Sequence, residues 1–288
     1  MQNDFAVFIL TYQRADNVLT YDTLRKQGYT GQIYLIVDDT DEQIEEYKGR
    51  YREQVIVFSK QAAIDITDTL DNFDQYNSVV FARNYSFTIA KELGLTYFLQ
   101  LDDDYGNFYN CFDNEGKYIT AHQNITSLDS VFEMVLDFFI DSGADSVCLS
   151  QGGDFVGGPD STMGQLGAKG KWSRKAMNSF FLSADRPFKF MGRINEDVNA
   201  YTSLGNIGKK FFTIPRLRLS QARTQKSDGG LTDIYLDVGT YVKSFYSVMV
   251  MPSSISVSQM GVKNMRLHHS VQWKYTVPEI VSEDFKKA

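Results

Sequence analysis

Three consecutive carboxylates, Asp102, Asp103 and Asp104, follow directly on a mostly apolar run at residues 97–101. Adjacent acids repel one another unless a cation or hydrogen-bond donors hold them. A hard divalent cation suits them, because Mg²⁺ and Mn²⁺ take one or two carboxylates together with substrate phosphates. Other polar groups recur at comparable places: Tyr12 and Arg14 after the run 5–10, Asp38 and Asp39 after the run 32–37. Glu196 and Asp197 open an amphipathic stretch. A carboxylate there either complements a helix dipole or takes a proton from a substrate hydroxyl. Two of the three histidines are adjacent, His268 and His269, and form a candidate pair of metal ligands.

These groups need elements to position them. Residues 5–10, 32–37, 55–58 and 97–101 are short apolar runs that suit strands buried on both faces. Residues 18–27, 42–51 and 78–93 read as helices, the first capped by Asp16 or Asn17. That alternation predicts βαβ units and a largely parallel sheet. The polar groups then converge where the strands end, the edge at which open α/β sheets bind ligands. Tyr105-Gly106 reads as a turn and 65–76 as an acidic surface segment. Residues 125–142 read as a helix capped by Thr126 or Ser127, and 146–149 and 180–182 as strands. The glycine-dense stretch 152–170 reads as a mobile loop; it is no P-loop, since Trp172 follows Lys171 where Ser or Thr is required. Lys169, Lys171, Arg174 and Lys175 around Trp172 could contact an anionic acceptor, and 220–232, with Arg223 and Lys226, has the composition of a lid.

Composition narrows the classes. An apolar fraction of 43 % over 288 residues allows a sizeable core. A net charge of −7 argues against a protein that coats nucleic acid by charge alone, while leaving room for an enzyme that touches it locally. Cys111 and Cys148 lack metal-ligand spacing and read as reduced structural thiols. No basic-then-apolar leader and no membrane-length run are present. The expectation is a cytoplasmic protein with no membrane partner and no evident obligate protein partner.

Taken together, Thr11-Tyr12-Gln13-Arg14, Val37-Asp38-Asp39, Ala82-Arg83-Asn84, Leu101-Asp102-Asp103-Asp104, Asn195-Glu196-Asp197 and His268-His269 resemble the metal-dependent GT-A glycosyltransferases across nearly the whole chain. More narrowly, residues 223–254 and 266–280 resemble the TET-associated glycosyltransferases of bacteriophages, whose setting would be the host cytoplasm. The resemblance implies an α/β, Rossmann-like GT-A fold with a central, mostly parallel sheet flanked by helices. It implies one domain over 1–288, with a nucleotide-sugar half at 1–105 and an acceptor-binding, catalytic half at 106–288. Asp104 would bind Mn²⁺ or Mg²⁺, with Asp102 on the metal or the donor ribose and His268 or His269 completing the site. Thr11, Tyr12, Arg14, Asp38 or Asp39, and Asp103 would hold the donor, flanked by Arg83 and Asn84, with Arg223 or Lys226 closing over its phosphates. Asp197 or Glu196 would be the base.

The implied reaction moves a hexosyl or pentosyl group from a nucleotide sugar, a UDP-sugar, to a 5-hydroxymethylated pyrimidine of phage DNA by an inverting single displacement. The basic residues Lys209, Lys210, Arg216, Arg218, Arg223 and Lys226 would serve a DNA acceptor. A polysaccharide or protein acceptor, or a non-catalytic nucleotide-sugar-binding module, are the alternatives. A sugar nucleotidyltransferase is disfavoured, because the loop after the first strand has no glycine.

Overall fold

The computed structural model describes residues 4–221, 239, 241–261 and 265–278. The four apolar runs of the first half form β1 (Phe5–Leu10), β2 (Gln32–Asp38), β3 (Val55–Phe58) and β4 (Tyr97–Asp102). They alternate with α1 (Leu19–Lys26), α2 (Ile44–Tyr51), α3 (Lys60–Asp65) and α4 (Val79–Glu92). β1 pairs in parallel with β2 and β4, and β2 with β3. Their carboxyl ends therefore share one edge.

The second half adds β5 (Tyr105–Phe112), β6 (Tyr118–Asn124), α5 (Leu128–Ser142), β7 (Ser146–Gln151) and α6 (Thr162–Ala168). It continues through β8 (Ser179–Ser183), α7 (Glu196–Asn206), β9 (Phe211–Gln221), α8 (Val242–Val250) and a hairpin of β10 (Ile255–Met260) and β11 (Arg266–Val271). The nine-stranded sheet runs β3-β2-β1-β4-β8-β7-β9-β5-β6. Only β8 and β5 are reversed, each antiparallel to both neighbours, so the sheet is mostly parallel in direction, as expected.

Every residue of β1 is buried, because its two faces feed two cores. Phe5, Val7 and Ile9 pack with Leu24 of α1, Tyr47 of α2 and Phe132 and Phe139 of α5. Ala6, Phe8 and Leu10 pack with Phe81 and Phe87 of α4 and with Val198 and Tyr201 of α7. A strand covered by helices on both sides loses the polar alternation of a half-exposed one.

Several sequence expectations change. Neither Asp16 nor Asn17 caps α1: Val18 precedes it without a side-chain cap, and the Thr20 N–H donates to the Asp103 carbonyl at 3.0 Å. Neither Thr126 nor Ser127 caps α5 through its side chain; the Leu128 N–H donates to the Gln27 carbonyl at 3.0 Å. In both helices a tertiary contact satisfies a first-turn donor that a polar side chain usually takes. Tyr105-Gly106 begins β5, and the turn lies at Asp103-Asp104. The stretch 152–170 is ordered into short turns and α6, whose N-terminus Ser161 caps by accepting from the Gly164 N–H at 3.0 Å.

Gly167 of α6 lies against Phe112, where an added Cβ would fall 2.2 Å from Cζ of that ring. Gly167→Ala should therefore overpack this seam and lower stability by about 1–3 kcal/mol. Urea unfolding would show a reduced midpoint at unchanged slope; a wild-type midpoint would mean that the ring swings aside freely.

Candidate active site

The acid turn at the end of β4 is held from behind. The Thr20 hydroxyl donates to the Asp102 carbonyl at 2.6 Å and accepts from the Tyr105 N–H at 2.9 Å. Asp103 turns inward: one oxygen accepts from the Thr11 hydroxyl at 2.8 Å, the other from Arg14 Nη1 at 2.6 Å. The Tyr47 hydroxyl lies 2.9 Å from Thr11 Oγ1 and accepts from the Arg14 N–H at 2.9 Å. Asp103 thus fastens the loop after β1: Thr11 is turned toward it, and Arg14 reaches it through Nη1 while its side chain stays partly exposed. Asp102 and Asp104 are the two acids of the turn that stay partly exposed.

Asp104 is the less satisfied of the two. Its Oδ2 accepts from Gln221 Nε2 at 3.2 Å, whereas Oδ1 is buried without a partner. Burial, and then the charge of Asp102, push its carboxyl up to about 7. A cation placed beside it would favour its charged form. The Tyr105 hydroxyl stands 3.1 Å from Asp102 Oδ2 and 2.6 Å from the Asn178 carbonyl, walling the turn on its inner side.

Arg83 joins this turn to the Glu-Asp pair. It projects from α4, is 1 % exposed, and donates through Nη2 to Asp102 Oδ1 and through Nε to Glu196 Oε1, each at 3.0 Å. Its Nη1 is buried without a partner. Burial opposes the charge, but the two carboxylates outweigh it and hold the guanidinium charged. Glu196 and Asp197 are both raised, by burial first. Asp197 Oδ1 accepts from the Val198 N–H at 2.7 Å, and no ion pair reaches it among the described residues. Lys243 and Lys175 act on it electrostatically, after Arg83. Asn195, just before α7, adopts φ 54° and donates to the Lys243 carbonyl at 2.7 Å and to Ser247 Oγ at 3.1 Å. Asparagine tolerates that left-handed backbone, and the bonds to α8 fix where α7 begins.

The remaining sequence candidates divide. Asp38 is buried and pairs with Lys60 Nζ at 2.9 Å, with the Tyr12 ring centroid 5.8 Å from the same ammonium. These three share one corner of the edge, next to the acid turn. Asp39 is exposed and accepts from the Lys60 N–H at 2.8 Å, which makes it a cap for α3. Asn84 is buried: its amide exchanges two 2.9 Å bonds with the Phe190 backbone and donates to Thr67 at 3.1 Å. Arg223 and Lys226 lie outside the described residues. The Lys169–Lys175 cluster is dispersed: Trp172 stacks on Phe138, Arg174 donates to the Trp273 carbonyl at 2.5 Å, and Lys175 pairs with Asp154 at 2.7 Å.

His268 and His269 lie on β11. His268 donates from Nδ1 to the His269 carbonyl at 2.8 Å. His269 Nδ1 is buried and unpartnered; burial, with His268, Lys243 and Lys175, pushes its pKa down to about 4 and leaves a neutral imidazole. No group of three or more His, Cys, Asp or Glu side chains among the described residues is arranged to hold a metal ion. Neither histidine therefore joins the two acids as a ready third ligand. A cavity of about 170 Å³ lies at the other end of α7, between Arg174, Tyr201, Lys210 and Pro278, and none of the carboxylates lines it.

Thr20, Tyr47, Lys60, Tyr105 and Gln221 complete the site without having been singled out from the sequence. None sits in a spaced motif. Lys60 alone carries a signal, as a cation just past the end of β3.

A family model for TET-associated glycosyltransferases matches residues 5–230, from the start of β1 past the end of β9. The chain belongs to this family. It is accordingly a glycosyltransferase, with the GT-A fold anticipated from the sequence. Among solved structures it is similar to glucosyl-3-phosphoglycerate synthase from Mycobacterium tuberculosis in complex with Mg²⁺ and UDP (11 % identity, 93 % of this chain and 87 % of that one, TM-score 0.46). It is also similar to S. aureus TarS 1-349 in complex with UDP-GlcNAc (10 %, 81 % and 64 %, 0.44). A third is the mannosyltransferase PcManGT from Pyrobaculum calidifontis in complex with GDP-Man and Mn²⁺ (12 %, 78 % and 58 %, 0.45). The chain thus spans less than two thirds of the TarS and PcManGT chains. No curated protein matches it. No helix among the described residues is long and apolar enough to cross a membrane.

In this glycosyltransferase, removing Arg83 would strand two carboxylates around a buried gap. Arg83→Met should lower stability by about 3–5 kcal/mol, the usual cost of breaking a buried ion pair from one side. Chemical denaturation measures this directly. A loss below about 1 kcal/mol would mean that Asp102 and Glu196 find water instead, as exposed pairs do.

Proposed function

We propose that this glycosyltransferase transfers a sugar from a UDP-sugar to the hydroxymethyl oxygen of a modified pyrimidine in DNA, by metal-dependent, inverting single displacement. Residues 1–288 would act as one domain, with donor binding in 1–105 and acceptor binding and base catalysis in 106–288. The observation that carries this reading is the span of one guanidinium: Arg83 touches Asp102, beside the acid turn, and Glu196, beside Asp197. One side chain thus links the acid turn, suited to a diphosphate leaving group, to the Glu-Asp pair that would supply the base.

A divalent ion fits the residues present. Asp104 has a buried oxygen without a partner, and burial, then the charge of Asp102, push its carboxyl up to about 7, a shift that a bound cation would oppose. Asp102 and Asp104 would hold Mg²⁺ or Mn²⁺, which when bound neutralises negative charge gathering on the departing diphosphate. Mg²⁺ and Mn²⁺ accompany UDP and GDP-Man in the similar structures named above. Of the two histidines, His269 is the one with a neutral imidazole and a free Nδ1 that a metal could take, should the hairpin of β10 and β11 move toward the two acids.

The chain's own groups supply the rest. Tyr12 and Asp38, with Lys60 behind them, offer a ring face and hydrogen-bonding groups to the donor nucleoside. Asp197 takes the proton of the acceptor hydroxyl as its oxygen attacks the anomeric carbon. The bond to the diphosphate breaks on the opposite side of that carbon, and the centre inverts. Glu196, held by Arg83, keeps the start of α7 oriented, and Lys175 and Lys243 favour the charged form of Asp197.

Two measurements test the assignment. Asp104→Ala should abolish Mn²⁺-dependent UDP binding in calorimetry while the fold persists; wild-type UDP affinity that is insensitive to EDTA would remove the metal from the reading. Asp197→Asn should retain UDP binding and slow transfer by on the order of a hundredfold or more, with Glu196→Gln less affected. Because burial raises the Asp197 pKa, the wild-type rate should be full above that pKa and fall as pH drops through it. The Asn variant should lack that acid limb, and an unchanged limb would assign the proton to another group.

A further inference from the structure

The face of the sheet that carries Asp102 bears a second set of groups that donor chemistry does not use. Side chains alternate along a strand. Leu99 and Leu101 enter the first core, so Asp102 projects to the opposite face; Leu217 and Leu219 enter the same core, so Arg218 projects to that opposite face too. Gln221, three residues further along β9, holds Asp104. Arg218 therefore stands roughly 10 Å along the strand from the acid turn, at about 3.3 Å per residue.

The surroundings of Arg218 are uncommon for a partly buried cation. Its guanidinium lies 5.9 Å from the Phe155 ring centroid, and Nη1 is 3.0 Å from His122 Nδ1. Burial, followed by the Arg218 charge, lowers the His122 pKa and keeps that imidazole neutral. Gly152 leaves the guanidinium room, since a Cβ there would fall 2.8 Å from Nη2. Nε is buried without a partner. Among the described residues no carboxylate pairs with Arg218, nor with the exposed Arg216, which lies 5.5 Å from the Phe112 ring centroid. The other described cations of β9 and its approach are engaged: Lys209 pairs with Asp145, and Lys210 donates to the Ser142 carbonyl.

A partly buried charge normally finds an opposite one. A guanidinium that lacks one and is braced by rings and a neutral imidazole is suited to an anion from outside, and its planar fork matches phosphate. We propose that Arg218, with Arg216 beside it, forms an anion subsite of the acceptor and takes backbone phosphates of a nucleic-acid strand whose modified base lies at Asp197. This rests on the DNA reading of the acceptor. A repeating polyanion suits two guanidiniums along one strand better than a single free phosphate does.

The test is fluorescence anisotropy of the full chain with a single-stranded oligodeoxynucleotide carrying one 5-hydroxymethylcytosine, titrated at roughly 50 to 200 mM salt. The Arg216→Gln/Arg218→Gln double variant keeps a donor for His122 and should retain wild-type UDP affinity. It should bind the oligonucleotide about tenfold more weakly at the low-salt end. Its slope of log affinity against log salt should be shallower by about 1.4, or about 0.7 for each single-strand phosphate contact. Arg218→Lys should keep most of the slope. If the wild type binds and glycosylates the oligonucleotide while the double variant shows the same slope, the subsite is overturned and the DNA reading stands. If the wild type neither binds nor glycosylates it, the DNA reading fails and the subsite with it. Should the double variant lose UDP affinity as well, the exposed single change Arg216→Gln decides: a slope shallower by about 0.7 supports the subsite, and an unchanged one overturns it.

Discussion

The architecture of the site depends on one buried cation. Arg83 is inaccessible to water and contacts Asp102 on β4 and Glu196 on α7. These residues are far apart in sequence and belong to different halves of the fold. A guanidinium can bridge them because its donors diverge in a rigid plane; an ammonium could not make both bonds in those directions. The Phe180 and Phe190 rings lie 5.0 and 6.0 Å from it, so the charge is enclosed by aromatic surface and two carboxylates. The fold tolerates this cost of burial because breaking either pair leaves an unpaired charge in a poorly solvated place.

A second constraint works beneath it. The turn Asp102–Asp104 serves the backbone as well as the cleft. The Asp103 carbonyl receives the Thr20 N–H, the Asp102 carbonyl receives the Thr20 hydroxyl, and the Asp103 side chain ties down the loop after β1. One of three adjacent acids is thus held by the protein itself, while Asp102 and Asp104 stay partly exposed. Asp102 is quieted by Arg83, and Asp104 alone retains a buried oxygen without a partner. Three identical side chains thus meet three different surroundings.

Most of the first half was legible in the sequence, because continuous apolar runs bounded by polar residues leave little choice but buried strands. Phe5–Leu10 and Val55–Phe58 form over the residues anticipated for them. The second half was less legible for a physical reason. β9 is studded with Arg216, Arg218 and Pro215, and β5 begins with the tyrosine and glycine of an apparent turn. Strands that interleave charged residues, proline and glycine with apolar ones carry no clean alternation. Glycines at 164 and 167 suggested a loop, yet they allow close approach of α6 to its neighbours.

The sequence by itself determined the element order of the first half, the convergence of polar groups at the strand ends and the candidate carboxylates. All of these follow from local polarity and period. Only the tertiary structure decided which carboxylate each donor would satisfy, because that depends on contacts between residues such as Arg83 and Glu196 that no spacing along the chain encodes. It also decided that Asn84 braces Phe190, that Asp103 is turned inward, and that Arg218 reaches the face of Asp102. Each is a matter of which face a side chain leaves and what waits there.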